Sequence, residues 1–237
     1  MDLVGPLNAA AEHFSSCLFE GALPTHAITL QRRLPKDSLF IPCRWQDISG
    51  IVRHEIALNP TRFARQPLLL VLQSIVREQS HLWQFVFGSP TRPGYHNREW
   101  AEKVASLGFQ VSVDGHPNRI TGQKISLKPV ADGPFVAACA QLVRQHFVLT
   151  WLDRGFDPER KVCVPMQLPN IDTDVRKVLT RPLGAAFGGV TSIRDLKAGV
   201  NKRKIKYGCP SCGVNVWGRS GLSLSCSSCN LPLTKAA

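Results

Sequence analysis

Four cysteines in the last thirty residues have the spacing of ligands to one metal ion. They form two Cys-x2-Cys pairs separated by thirteen residues, and the four are Cys209, Cys212, Cys226 and Cys229. Two such pairs on turns, joined by a short hairpin, place four thiolates tetrahedrally around Zn²⁺. Gly213 directly follows the first pair and suits the left-handed turn that such a knuckle requires. The spacing therefore predicts a zinc ribbon at residues 207–237.

The predicted zinc is structural. Four cysteine ligands close the coordination shell, so no position remains for a substrate or a catalytic water. Unliganded cysteines and redox-active pairs are the alternatives, and the redox role lacks a surrounding thioredoxin-like βαβ pattern. No signal peptide is predicted, so the four other cysteines are expected to be reduced and mostly buried thiols: Cys17, Cys43, Cys139 and Cys163.

A second set of chemically capable residues lies on the longest predicted helix, 66–87. The zincin motif places two histidines at i and i+4 on one helical face, with a glutamate directly after the first. Here the glutamate is Glu78 and the second histidine is His81, whereas Arg77 stands at the first position. Alone, Glu-x-x-His arises often by chance. If the match is a chance one, His81 is an ordinary helical histidine and Glu78 only pairs with a neighbouring arginine.

Hydrophobic periodicity and turn residues predict the elements that position this motif. The predicted helices cover 7–19, 66–87 and 97–107, and the predicted strands cover 26–32, 38–45 and 53–58. Residues 133–152 suggest a further helix or a helix–strand pair. Asn97 is the predicted cap of the third helix, and Trp83 and Trp100 are predicted core residues. Helix 66–87 also carries one polar face, formed by Gln73, Arg77, His81 and Gln84.

The residues around the motif resemble the SprT-like metalloprotease family. That family carries HExxH on a helix and a third histidine in a later loop, shortly before a Trp-bearing helix. The segments on which the resemblance rests are EQSHLWQ at 78–84 and GYHNREWA at 94–101. His96 stands at the position of the third zinc ligand. Further similar segments are FSSCLFEGALP at 14–24, the strand at 28–32, HEIALNP at 54–60, RITGQ at 119–123, GPF at 133–135 and the four-cysteine ribbon.

The resemblance implies an α+β fold with a minigluzincin-type core, made of helices and a small antiparallel-type sheet. This domain is expected at 1–155, followed by a basic, partly structured linker at 156–206 and the ribbon. The resemblance also implies a zinc endopeptidase that associates with DNA, since relatives cleave proteins attached to DNA. Glu78 would then be the general base, and His81 and His96 would be ligands of a second zinc ion in the cleft.

Arg77 departs from the family pattern at a zinc ligand. Arginine stays protonated and has no lone pair for a metal. We expect its guanidinium to occupy the place of the metal and to pair with Glu78, with His81 neutral beside it. The favoured hypothesis is a pseudoenzyme that acts as a DNA-associated binding factor. The alternative is an active zinc endopeptidase that cleaves DNA-associated proteins, with water or another group completing the zinc shell.

The charge of the chain favours an anionic partner. Its formal net charge is +12, and a basic balance of this size most often serves nucleic acid. The residues predicted to bind DNA are Lys202, Arg203, Lys204, Lys206 and Arg219. The longest apolar run, 67–72, is too short to cross a bilayer, and residues 1–12 lack a signal-peptide pattern. The expectation is a cytoplasmic, nucleoid-associated protein without a membrane partner but with a protein substrate or partner.

Overall fold

The computed structural model describes residues 2–116, 118–156, 167–186, 188–190, 192–193 and 204–235. The chain divides into two compact units, Met1–Ser192 and Ile193–Ala237. The helices of the first unit are α1 Gly5–Phe19, α2 Leu68–Phe87, α3 Arg98–Ser106, α4 Pro134–Arg144, α5 Thr173–Thr180 and α6 Leu183–Ala186, and a 3₁₀ helix spans Pro60–Arg65. Its strands are β1 His26–Leu30, β2 Ser38–Gln46, β3 Val52–Leu58, β4 Phe109–Val113 and β5 Ile125–Pro129. The unit is therefore α+β, as predicted.

The first sheet is mixed and has the strand order β1-β3-β2. β3 runs antiparallel to β2 but parallel to β1, in the register that pairs Ile28 with Ile56. The expectation of an antiparallel-type sheet was therefore wrong for β1. The reason is that β3 returns from β2 by a hairpin and inserts between β1 and β2, which leaves β2 at the edge of the sheet.

Helix α2 is the central helix of the core. Its apolar residues recur at helical spacing, and Leu72, Ile75 and Leu82 are completely buried. Gln79, which falls within this apolar stripe, is also buried and donates from its side-chain amide to the Ala11 carbonyl at 2.7 Å. That hydrogen bond offsets the cost of burying a polar group. Glu78 and His81 are thus held on a helix that is fixed by its core contacts.

Trp100 of α3 lies beneath the polar face of α2. The helix begins after Asn97, whose side chain accepts a hydrogen bond from the Trp100 backbone N–H at 3.0 Å, so the predicted cap is confirmed. Trp100 is fully buried, and Trp83 is partly buried against the same core. Strands β4 and β5, which the periodicity did not predict, form an antiparallel pair after α3.

The predicted linker, 156–206, contains residues that belong to the core of the first unit. Helix α5 begins after Asp172, whose side chain accepts from the Val175 N–H, and α6 follows closely. Four buried apolar residues of this segment pack in that core, namely Leu168, Val175, Leu179 and Leu183. The compact unit therefore extends beyond residue 155. The short helices were missed because two buried positions in α5 and one in α6 make a weak periodic signal.

The second unit is a small three-stranded sheet. Its strands are β6 Ile205–Gly208, β7 Asn215–Gly218 and β8 Thr234–Lys235, in the order β7-β6-β8. Its buried cluster consists of Tyr207, Cys209, Cys226 and Leu233. In the described part of the chain, no helix has the length and apolar character needed to cross a membrane.

Candidate cleft and zinc ribbon

A pocket of about 300 Å³ lies between α2, the start of β2 and the loop before α3. Among the residues that line it are Arg77, Glu78, His81 and His96. The fold therefore brings together the residues that the sequence analysis assigned to the degenerate metalloprotease site.

His96 is fixed by backbone pairing and by its own ring. It exchanges two backbone hydrogen bonds with Gly122, of 2.9 and 3.0 Å, and its Nδ1 lies 3.0 Å from the Gly122 carbonyl oxygen. Since a carbonyl only accepts, Nδ1 carries the proton, and the lone pair of a neutral ring is on Nε2. Nε2 is therefore the atom of this histidine that can accept a hydrogen bond or bind a metal.

Arg77 is in hydrogen-bond contact with Nε2 of His96. Its Nη2 lies 3.1 Å from Nε2 of His96, its Nη1 lies 3.5 Å from the Ile125 carbonyl, and its Nε lies 3.8 Å from Glu78 Oε1. Its Cζ also lies 5.6 Å from the centre of the Trp100 ring, a cation–π distance. The predicted pairing with Glu78 is present, and the guanidinium lies between Glu78 and His96.

Glu78 is tied to the edge strand of the sheet. Its carboxylate accepts a hydrogen bond from the Ser38 hydroxyl at 2.7 Å and another from the Phe40 backbone N–H. Burial raises the pKa of the Glu78 carboxyl, while the charge of Arg77 and these hydrogen bonds act in the opposite direction. The main contacts of Glu78 therefore join α2 to β2.

His81 and His96 are neutral at pH 7. The pKa of His81 is lowered to about 3 and that of His96 to about 4, mainly by burial and to a smaller extent by nearby charges that include Arg77. The His81 ring stacks on Trp100 at 4.8 Å and lies 5.1 Å from the His96 ring, measured between centroids. Both rings could act as neutral ligands, as the sequence analysis proposed.

The cleft as it stands does not fit a zinc ion. A zinc ligand at His96 needs the Nε2 lone pair, and that atom is in hydrogen-bond contact with Arg77. A metal at this place would also lie against the positive charge of the guanidinium. Among the described residues, the cleft forms no group of three or more close ligand atoms.

The ribbon fits zinc well. The four sulfurs of Cys209, Cys212, Cys226 and Cys229 lie within 4.8 Å of one another, and the Cys212 and Cys226 sulfurs are 3.6 Å apart. A tetrahedral ion with Zn–S bonds of about 2.3 Å requires separations of roughly this size. The backbone N–H groups of Cys212 and Ser211 lower the pKa of Cys209, which favours the thiolate form at that position.

The two knuckles have the same backbone geometry. Gly213 has φ +72°, which confirms the predicted left-handed turn, and its N–H donates to the Cys209 carbonyl at 3.0 Å. Asn230 holds the corresponding place after the second pair, with φ +50° and a 2.8 Å bond to the Cys226 carbonyl. Asparagine tolerates this conformation better than most residues, a signal that the sequence analysis did not use.

Only some of the predicted DNA-binding residues lie in the described part of the chain. Lys202 and Arg203 lie outside the described residues, whereas Lys204, Lys206 and Arg219 are all exposed. Lys206 stands directly opposite Trp217 in the β6–β7 pair, and Trp217 is 59% exposed. The sequence analysis missed Trp217 as a functional candidate. The available signal was an aromatic residue in a basic hairpin.

Comparisons of the chain with family models, curated proteins and solved structures give no match.

Proposed function

We propose that this chain is a SprT-like pseudoprotease, a binding factor with a metal-free cleft and a zinc-filled ribbon that contacts DNA. The family assignment is supported by the motif segments around Glu78, His81 and His96. The observation that carries the proposal is the 3.1 Å contact between Arg77 Nη2 and His96 Nε2. It directs a cation to the atom that would otherwise bind zinc.

The contacts of Glu78 also favour binding over catalysis. A general base in a zinc peptidase must accept a proton from the metal-bound water. Here the carboxylate is engaged by Ser38, by Phe40 and by the charge of Arg77. The alternative, an active zinc endopeptidase, requires Arg77 to leave His96 so that a metal can enter.

The DNA-binding part of the proposal is supported by the composition and surface of the ribbon. Residues 204–235 contain four basic side chains and no acidic one. Lys204 directly precedes β6 and stands two residues before Lys206, and the exposed Trp217 lies across from Lys206. Cations that contact phosphates, next to an aromatic ring on which a base can stack, are typical of proteins that bind nucleic acid.

Neutralising Lys204 and Lys206 should weaken DNA binding and flatten its salt dependence. With both residues changed to glutamine, we expect the affinity to fall about tenfold or more at about 0.1 M salt. The slope of log K against log salt should fall by about 0.7 to 0.9 for each phosphate that the protein no longer neutralises. Fluorescence anisotropy with a labelled oligonucleotide at several salt concentrations measures both quantities.

The matched control is Lys128→Gln, which removes an exposed lysine from β5 in the other unit. Its affinity and slope should equal those of the unchanged protein. If the Lys204→Gln, Lys206→Gln protein keeps both the affinity and the slope, the ribbon is not the DNA-binding surface.

A further inference from the structure

The pocket beside Arg77 carries an excess of positive charge. Among the described residues that line it, the cations are Lys36, Arg77 and Arg92, and the anion is Glu78. With Glu78 ionised, the charge is three positive minus one negative, or +2. A ligand of this pocket should therefore be an anion.

Arg77 has hydrogen-bond donors left for such a ligand. A guanidinium has five N–H groups, and the described hydrogen bonds engage Nη1 and Nη2 once each. Its Nε faces Glu78 at 3.8 Å, beyond ordinary hydrogen-bond length. The side chain is 22% exposed, so the group is anchored by its partners but still open to the pocket. A held guanidinium is already oriented for a planar anion.

One wall of the pocket is apolar. Phe40 and Phe85 both line it, with their ring centroids 5.9 Å apart in an edge-to-face arrangement. Phe85 and Leu39 are each more than two-fifths exposed. Exposed apolar surface next to a cationic group suits a ligand that has an anionic end and an apolar body.

We propose that this pocket binds a carboxylate carried by an apolar group, of which the C-terminal residue of a peptide is the simplest example. The carboxylate pairs with Arg77 and is surrounded by Lys36 and Arg92. The apolar group packs on Phe40 and Phe85. This inference rests on the proposed function, because it needs a cleft without metal. Phosphate has no apolar group to pack on Phe40 and Phe85, so the pocket should prefer a carboxylate that carries one.

The test measures binding of N-acetylphenylalanine to the full chain by calorimetry, with N-acetylphenylalaninamide and inorganic phosphate as comparison ligands. We expect the amide and phosphate to bind at least about tenfold more weakly, the scale of one missing charge-assisted hydrogen bond. Arg77→Met should weaken the binding of N-acetylphenylalanine by a similar factor, and Lys36→Gln should weaken it about threefold. The control is Arg98→Met, which removes an exposed arginine outside the pocket.

Several results would overturn the inference. For the unchanged protein, these are no binding of N-acetylphenylalanine, equally tight binding of the amide, or tighter binding of phosphate. For the variants, the contradicting result is that Arg77→Met and Lys36→Gln bind N-acetylphenylalanine as tightly as Arg98→Met does. If Arg77→Met does not fold, the amide comparison and Lys36→Gln decide the matter. Failure of these tests in a protein with one zinc per chain rejects the carboxylate site alone. A second zinc, bound in the cleft, rejects this site and the pseudoprotease proposal together.

Discussion

Removing metal from the ribbon should unfold residues 204–235 and leave the first unit folded. The buried cluster of the ribbon has four members, and two of them, Cys209 and Cys226, are predicted zinc ligands. A core this small cannot supply the free energy of folding, whereas structural zinc contributes on the order of 10 kcal/mol in comparable modules. After chelation, the amide NMR signals of the ribbon should collapse to unfolded positions, while those of α2 and β3 stay in place.

Cysteine substitutions provide a matched pair for this prediction. Cys226→Ser removes a predicted ligand and should reproduce the effect of the chelator. Cys43 of β2 is exposed, as is Cys17, so the expectation of burial was wrong for both. Cys43→Ser should leave both units folded with zinc bound. Ribbon signals that stay dispersed after complete metal removal would show that the sheet β7-β6-β8 folds without zinc.

Arg77→His should create a second zinc site. The change places a histidine four residues before His81 on α2, so both rings lie on one helical face. It also removes the guanidinium that contacts His96 Nε2. Three neutral imidazoles then surround a place that held a cation. A catalytic zinc site also has three protein ligands. We expect two zinc ions per chain by elemental analysis.

Arg77→Gln is the control for this experiment. It removes the positive charge without adding an imidazole ligand, and we expect it to keep one zinc per chain. Two zinc ions per chain in both variants would show that charge, and not the missing ligand, governs the metal content of the cleft. One zinc ion per chain in both would contradict the prediction for Arg77→His. Peptidase activity in Arg77→His that disappears on adding Glu78→Gln would show that Arg77 alone separates this cleft from a working protease.

The parts of the structure that the sequence predicted are those that depend on local spacing. The ribbon follows from two Cys-x2-Cys pairs, helix α2 follows from its apolar stripe, and the start of α3 follows from Asn97. Each of these signals comes from residues close together in the chain, where periodicity and capping chemistry act directly.

The parts that the sequence did not predict depend on partners distant in the chain. The hydrogen bond from Ser38 to Glu78 joins residues forty positions apart, and the parallel pairing of β1 with β3 is set by strand order. No local pattern of residue types contains this information.

On the proposed function, Arg77 replaces a metal ion in the cleft while the ribbon keeps its own. The zinc content of the unchanged protein, purified without chelator or added metal and measured by elemental analysis, tests this. We expect one zinc per chain, and none after Cys226→Ser. Two zinc ions per chain in the unchanged protein, falling to one when His81 and His96 are replaced by glutamine, would contradict it.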